Sequence, residues 1–152
     1  MKKFTLIGAA CLAAMSMSVS ALAETTTYAG ANCVPANNNT TYTVNSTGGI
    51  SNYGNASISV HCLIPNVSGT NVINSITVQY RENNPTYDML CAFVNGSTKQ
   101  VLRSSGASQV EQTFIFNSTN ISNNIPVVVS CTLPPNTSGP APRIDKYIVE
   151  TP

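Results

Sequence analysis

Four widely spaced cysteines constrain this chain more than any other feature of its sequence. Cys33, Cys62, Cys91 and Cys131 follow one another at intervals of 29, 29 and 40 residues. Zinc is gripped by cysteines in close C-x-x-C pairs or in Cys/His clusters, and His61 is the sole histidine, so no metal or other cofactor is expected. A C-x-x-C redox pair is also absent; disulfide-exchange chemistry depends on such a pair to tune its thiol. Structural cross-linking remains, and it requires an oxidising compartment. Four cysteines allow three pairings. Sequential pairing, Cys33–Cys62 and Cys91–Cys131, is favoured because it gives each half of the chain its own clip. On the chain-entropy view each closure restrains the unfolded chain by about 3–4 kcal/mol, a large share of the stability of a domain this small.

The first residues fit that compartment. Met1–Ala23 starts with Lys2 and Lys3, continues through an apolar stretch from Phe4 to Ala14, and closes on Ala21-Leu22-Ala23. A basic start, a short apolar run and small residues at −3 and −1 make a cleavable export signal. Residues 24–152 are then expected as a single domain, secreted or periplasmic in a bacterium. Cys11 lies within the apolar stretch, but Gly8-Ala9-Ala10 lacks the aliphatic residue that a lipidation signal carries three places upstream. That stretch is too short for a membrane span, and no later run approaches about 18 apolar residues, so no membrane insertion is expected after signal cleavage.

Charge is scarce. The chain has 7 basic and 6 acidic side chains. With Lys2 and Lys3 in the leader, Arg81, Lys99, Arg103, Arg143 and Lys146 face Glu24, Glu82, Asp88, Glu111, Asp145 and Glu150, a net charge of −1. Nucleic-acid binding displaces counterions with clustered Lys and Arg, and the sequence contains no such run. Asn, Ser and Thr supply the polar surface instead.

Hydrophobic periodicity points to strands. Ile58, Val60 and Cys62 alternate with Ser57, Ser59 and His61, and Ile76, Val78 and Tyr80 alternate with Thr77, Gln79 and Arg81. Both runs predict half-buried antiparallel strands with one wet face. Further strands are expected over Thr40–Asn45, Asp88–Asn95, Lys99–Arg103, Gln112–Phe116, Ile125–Leu133 and Arg143–Glu150. Gly-, Asn- and Pro-rich turns separate them, with Asn95-Gly96 the strongest hairpin signal. The numerous Asn-x-Ser/Thr triplets read as turn formers. Pro134–Pro142 cannot be strand, because proline removes ladder donors. In the last strand Ile144, Tyr147 and Val149 break strict alternation, which predicts a β-bulge. The expected fold is all-β: an antiparallel β-sandwich, Ig-like or jelly-roll-like, of about eight strands.

No catalytic constellation is evident. G-x-S-x-G, H-E-x-x-H and phosphate-loop patterns are absent. His61 alternates outward from Val60 and Cys62. The surface with the most ligand-like character is the loop carrying Arg81, Glu82, Tyr87 and Asp88, which gathers charge and an aromatic ring in a chain poor in both. Sugars are bound by an aromatic platform beside Asn, Asp and Arg, so these four are the candidate ligand-binding residues. The plainer alternative is a polar loop with Tyr87 packed over the sandwich end.

Four segments, Tyr28-Ala29-Gly30-Ala31-Asn32-Cys33, Ser59-Val60-His61-Cys62, Val129–Pro135 and Ile144–Glu150, resemble a family of small secreted, disulfide-bonded, β-rich proteobacterial proteins with no assigned activity. The shared positions are cysteines and core residues. The resemblance implies an exported β-rich fold and brings no catalytic residue with it. The function expected is that of a non-enzymatic binding or structural module, with a carbohydrate or another surface protein as partner. Two alternatives are a small glycosidase-like hydrolase using Glu82 and Asp88, which needs two carboxylates about 5–10 Å apart, and a surface-fibre subunit that exchanges a strand with its neighbour.

Overall fold

The computed structural model describes residues 23–37, 41–65, 72–95, 98–104, 108–120, 127–137 and 139–152. Eleven strands run in order: β1 (Glu24–Ala29), β2 (Cys33–Pro35), β3 (Tyr42–Val44), β4 (Ile50–Asn52), β5 (Ile58–Ile64), β6 (Val72–Glu82), β7 (Leu90–Asn95), β8 (Thr98–Arg103), β9 (Ser108–Asn120), β10 (Val127–Leu133) and β11 (Arg143–Thr151). The only helical residues among those described form one 3₁₀ turn, Gly30–Asn32. The leader up to residue 22 and the tip of the Asn95-Gly96 hairpin lie outside the described residues, as does the second half of a turn expected over Asn117–Asn124; its first half, Asn117–Asn120, is instead the end of β9, held by pairing with β6.

The strands form two antiparallel sheets packed face to face, so the chain is an all-β sandwich. One sheet has the order β3-β4-β11-β6-β9, with β1 lying beside β4 on the same side of β11; the other is β2-β5-β10-β7-β8. The count of eleven corrects the expected eight, because β1, β2 and β4 carry no clear alternation. β1 reads Glu-Thr-Thr-Thr-Tyr-Ala, β2 is three residues ending in proline, and the three residues of β4 are all buried. Pairing with β11 and β5 makes these segments strands.

The inward faces alternate as a half-buried pleat demands. Val60, Cys62 and Ile64 of β5, Val127, Val129, Cys131 and Leu133 of β10, and Cys91 and Phe93 of β7 meet Ile76, Val78 and Tyr80 of β6, Phe114 and Phe116 of β9, and Ile144, Tyr147 and Val149 of β11. Phe93 and Phe116 meet across the sheets with ring centroids 6.0 Å apart, and Tyr80 stacks on Phe114 at 4.2 Å. Each fully buried side chain of this kind contributes about 1.5–3 kcal/mol. The Tyr147 hydroxyl donates to the Leu63 carbonyl oxygen of the opposite sheet at 2.8 Å, and burial pushes its pKa up to about 12.

Both disulfides lie within the five-stranded sheet. Cys33 is bonded to Cys62 and Cys91 to Cys131, and each pair occupies directly opposed ladder positions, on β2/β5 and on β7/β10. They therefore fasten strand neighbours within one layer rather than the two layers to each other.

The β6–β11 ladder slips between Ile144 and Lys146, where the broken alternation predicts a bulge. Ile144 and Tyr147 stay buried, which turns both Asp145 and Lys146 to the outer face. Two glycines make room for the bulge: a Cβ on Gly30 would lie 2.1 Å from the Ile144 carbonyl oxygen, and one on Gly49 would lie 2.8 Å from it.

Candidate functional site

The outer face of the six-stranded sheet holds a concavity of about 390 Å³ lined by Thr27, Ala29, Thr47, Gln79, Arg81, Glu111, Arg143, Asp145 and Lys146. Strand alternation produces this set. On β6, Ile76, Val78, Tyr80 and Glu82 point to the core, which sends Gln79 and Arg81 outward. On β11 the bulge adds Asp145 and Lys146 to Arg143. A second slip, between Tyr80 and Glu82 on the β6–β9 ladder, flanks Arg81 from the other side. The two irregularities fall at neighbouring levels of adjacent ladders; bulges re-aim side chains in this way.

Asp145 organises the charges. Its carboxylate lies 2.8 Å from Arg143 Nε and 3.6 Å from Arg81 Nε. Arg81 and Arg143 are direct partners across the ladder, an arrangement that repels unless a counter-charge intervenes. Gln79 faces Lys146 one step along. The rim is fixed by Asn45, whose Oδ1 accepts from the amides of Thr47 and Gly49 and from the Thr47 hydroxyl at 2.7–3.1 Å. Planar guanidinium, carboxylate and amide groups therefore stand side by side on strands, and the close Arg143–Asp145 pair reduces the freedom that those two would lose on binding.

The sandwich end built from residues 53–57, 83–89, 134–137 and 139–142 is a second feature. Asn52 Nδ2 donates to the carbonyl oxygens of Ala56 and Pro134, and Asn84 Nδ2 donates to that of Pro135. The Asn136 amide donates to the Gly54 oxygen at 2.8 Å. Asn84 Oδ1 in turn accepts from the amides of Thr86 and Tyr87. The Pro134–Pro142 connector is not strand where it is described, and its early carbonyls serve as the hub of this end. Tyr53 and Tyr87, on the two loops tied to that hub, are 53% and 55% exposed.

The structure separates the four residues that the sequence groups together. Arg81 enters the concavity. Glu82, its neighbour, turns into the core and is 1% exposed; it accepts a short hydrogen bond from the Ser104 hydroxyl. Ser104 Oγ also accepts from the Met89 amide at 2.8 Å, so the carboxyl tethers the 83–89 loop to the end of β8. Burial holds the Glu82 pKa above its ordinary range, partly offset by the bonds from Ser104 and Met89. Burial, with the nearby charges of Glu82 and Asp88, likewise pushes the Tyr80 pKa up to about 12. Tyr87 stands on the loop, and Asp88 lies 3.5 Å from Arg103. His61 is on the outer face of the opposite sheet, away from both surfaces. Among the described residues no group of three His, Cys, Asp or Glu side chains is placed to hold a metal ion.

Sequence reasoning passes over Gln79, Arg143, Asp145 and Lys146 as site residues. The signal present for them is the doubled polar step Asp145-Lys146 inside an apolar alternation, which marks a bulge and two outward side chains.

No family model matches the chain, and no curated protein matches it. Solved structures do share its fold. One is the CBM36-1 domain of a multidomain xylanase from the hindgut metagenome of Trinervitermes trinervoides (TM-score 0.52, 17% identity, covering 85% of this chain and 98% of that one). The family 35 carbohydrate-binding module of Clostridium thermocellum aligns at TM-score 0.52 and 16% identity, over 83% of this chain and 98% of that one. The low-affinity xylan-binding module CBM86 from Roseburia intestinalis aligns at TM-score 0.55 and 10% identity, over 84% and 95%. A family two carbohydrate esterase from Cellvibrio japonicus aligns at 0.55 and 10% identity over 86% of this chain, which spans about a third, 35%, of the esterase.

Proposed function

We propose that this protein is an exported, non-enzymatic carbohydrate-binding module whose ligand lies in the concavity of the six-stranded sheet. The observation that carries this reading is the convergence there of four planar groups carried on strands, Gln79, Arg81, Arg143 and Asp145, the last three linked by ion pairs. Vicinal sugar hydroxyls are matched by such side chains, which offer paired donors or paired acceptors. The shared sandwich architecture of modules described as carbohydrate-binding supports the same class of ligand. Two disulfides suit a protein working in an oxidising compartment, and no helix among the described residues is long and apolar enough to cross a membrane. Removal of residues 1–23 on export completes this reading.

The glycosidase alternative loses support from the geometry, because Glu82 faces the core and is engaged by Ser104. A second location for the ligand is the loop end, favoured by the exposure of Tyr53 and Tyr87 beside the Pro135-Asn136 hub. Affinity electrophoresis through gels cast with soluble polysaccharides tests the reading. At least one polysaccharide is expected to retard the protein and to emerge with its chain length unchanged. Arg143→Ala and Gln79→Ala should each abolish most of the retardation, whereas Tyr53→Ala and Tyr87→Ala should leave it. The reverse pattern moves the site to the loop end, and free migration through every gel overturns the function.

A further inference from the structure

The charge of the concavity exceeds what a neutral sugar requires. Beyond residue 23 the chain carries five cationic side chains, and three of them, Arg81, Arg143 and Lys146, line this one surface together with Glu111 and Asp145. The lining set therefore has a net charge of +1, within a chain whose net charge from residue 24 onward is −1. Elsewhere the cations are Lys99 and Arg103, the latter paired with Asp88, and most of the polar side chains are Asn, Ser and Thr, which hydrogen-bond to neutral hydroxyls without any field. A site for a neutral saccharide has no need of two guanidiniums placed directly opposite each other on adjacent strands.

The balance among these groups is incomplete. One carboxylate, Asp145, is shared by two arginines, and both reach it through Nε. Among the described residues Lys146 has no carboxylate within ion-pair distance, so its ammonium is available. The surroundings are partly desolvated: the side chains of Arg143 and Asp145 are 27% and 16% exposed. Excess positive charge held in such a place is costly when left alone and gains from a counter-anion, with charge-assisted bonds roughly twice as strong as neutral ones.

We infer that the concavity takes a saccharide bearing an anionic substituent, a uronic carboxylate or a sulfate ester, whose charge is met by Arg81, Arg143 and Lys146. This deepens the proposed carbohydrate-binding function and rests on it. The bulge at Asp145 is then a specificity device: it places Asp145 as the spacer between the arginines and brings Lys146 to the same face. A regular strand would turn only one of the two outward.

The experiment is a glycan array carrying neutral, uronic-acid and sulfated forms of gluco-, galacto-, manno- and xylo-oligosaccharides, probed with the protein purified after export. Acidic members alone are expected to bind. Carboxyl reduction or desulfation of the bound saccharide should weaken binding by roughly 10-fold, the worth of one strong charged contact. Raising the salt from about 0.02 M to about 0.5 M should weaken it several-fold, because the Debye length contracts below the dimensions of the site. Lys146→Gln should lower affinity about 5-fold and Lys146→Arg should restore it, while Arg103→Gln, whose guanidinium is paired with Asp88, should change nothing. Binding confined to uronates or to sulfates identifies the source of the charge. Neutral forms bound as tightly as their acidic counterparts overturn this inference and leave the carbohydrate-binding function standing. An array with no bound saccharide overturns both.

Discussion

Two residues hold positions where chemistry and geometry admit almost no substitute. Gly30 turns the chain from β1 in one sheet to β2 in the other, and a Cβ there would collide with the backbone oxygen of Ile144 at 2.1 Å. The obstacle is main chain in the bulge, so no side chain can swing aside. Gly30→Ala is expected to cost at least about 2 kcal/mol in urea unfolding; a cost under about 0.5 kcal/mol would mean that the crossover relaxes freely. Glu82 makes a different demand. Burial raises its native pKa above the ordinary value of 4.5, so the unfolded chain releases this proton at lower pH than the folded one. Its contribution is therefore full below about pH 4.5 and is lost progressively as the pH climbs to the raised native value. Stability measured against pH should fall across that interval in the native protein, and the wild-type-minus-Glu82→Gln difference should isolate the slope. An identical pH profile for Glu82→Gln would remove Glu82 as its origin. The inward turn of Glu82 was legible, since the alternation Ile76, Val78, Tyr80 reaches position 82 next. A charged residue beside a polar loop masks that pattern, because its hydrogen-bond partner, Ser104, lies 22 residues away.

Among the elements, β11 does most to define the proposed site, and the five-stranded sheet carries both disulfides. Removing the shared carboxylate from β11 leaves Arg81 and Arg143 facing each other. Asp145→Asn should cost about 1 kcal/mol, the order of a cross-strand like-charge contact, and the cost should shrink by roughly half in 0.5 M NaCl as screening takes over. A penalty insensitive to salt would indicate packing rather than charge. The disulfides differ in reach although both join adjacent strands. Cys91–Cys131 ties β7 to β10, which has partners on both sides. Its replacement by paired alanines should lower global stability by about 3–4 kcal/mol. Cys33–Cys62 holds the three-residue edge strand β2. Its loss should speed hydrogen exchange at β2 first, by local opening that leaves the rest of the sheet protected. Uniform deprotection of every strand would contradict that distinction. Long alternating strands and the bulge were readable in the sequence because they depend on local period. β1, β2 and β4 were not, because their extended shape is imposed by the neighbours they pair with.

For the whole molecule, cross-linking and compartment stand or fall together. Protein recovered after export and denatured without reductant should contain no titratable thiol; even one per chain would break the picture of four fully paired cysteines. The sandwich itself follows from local rules, since alternation dictates two-faced strands and two-faced strands must bury one face against another sheet. Sequence alone therefore determined the all-β class, the inward set of Ile58, Val60 and Cys62, and the place of the bulge, all of which rest on the period-2 pleat and on turn chemistry within a few residues. The tertiary structure decided what period cannot: which strands are neighbours, that both disulfides lie in one layer, and that Arg81 meets Arg143 and Asp145 from the far end of the chain rather than Glu82 beside it. Pleating sends consecutive residues to opposite faces of a sheet, so neighbours in sequence part company, and only strand pairing selects which distant side chains share a surface.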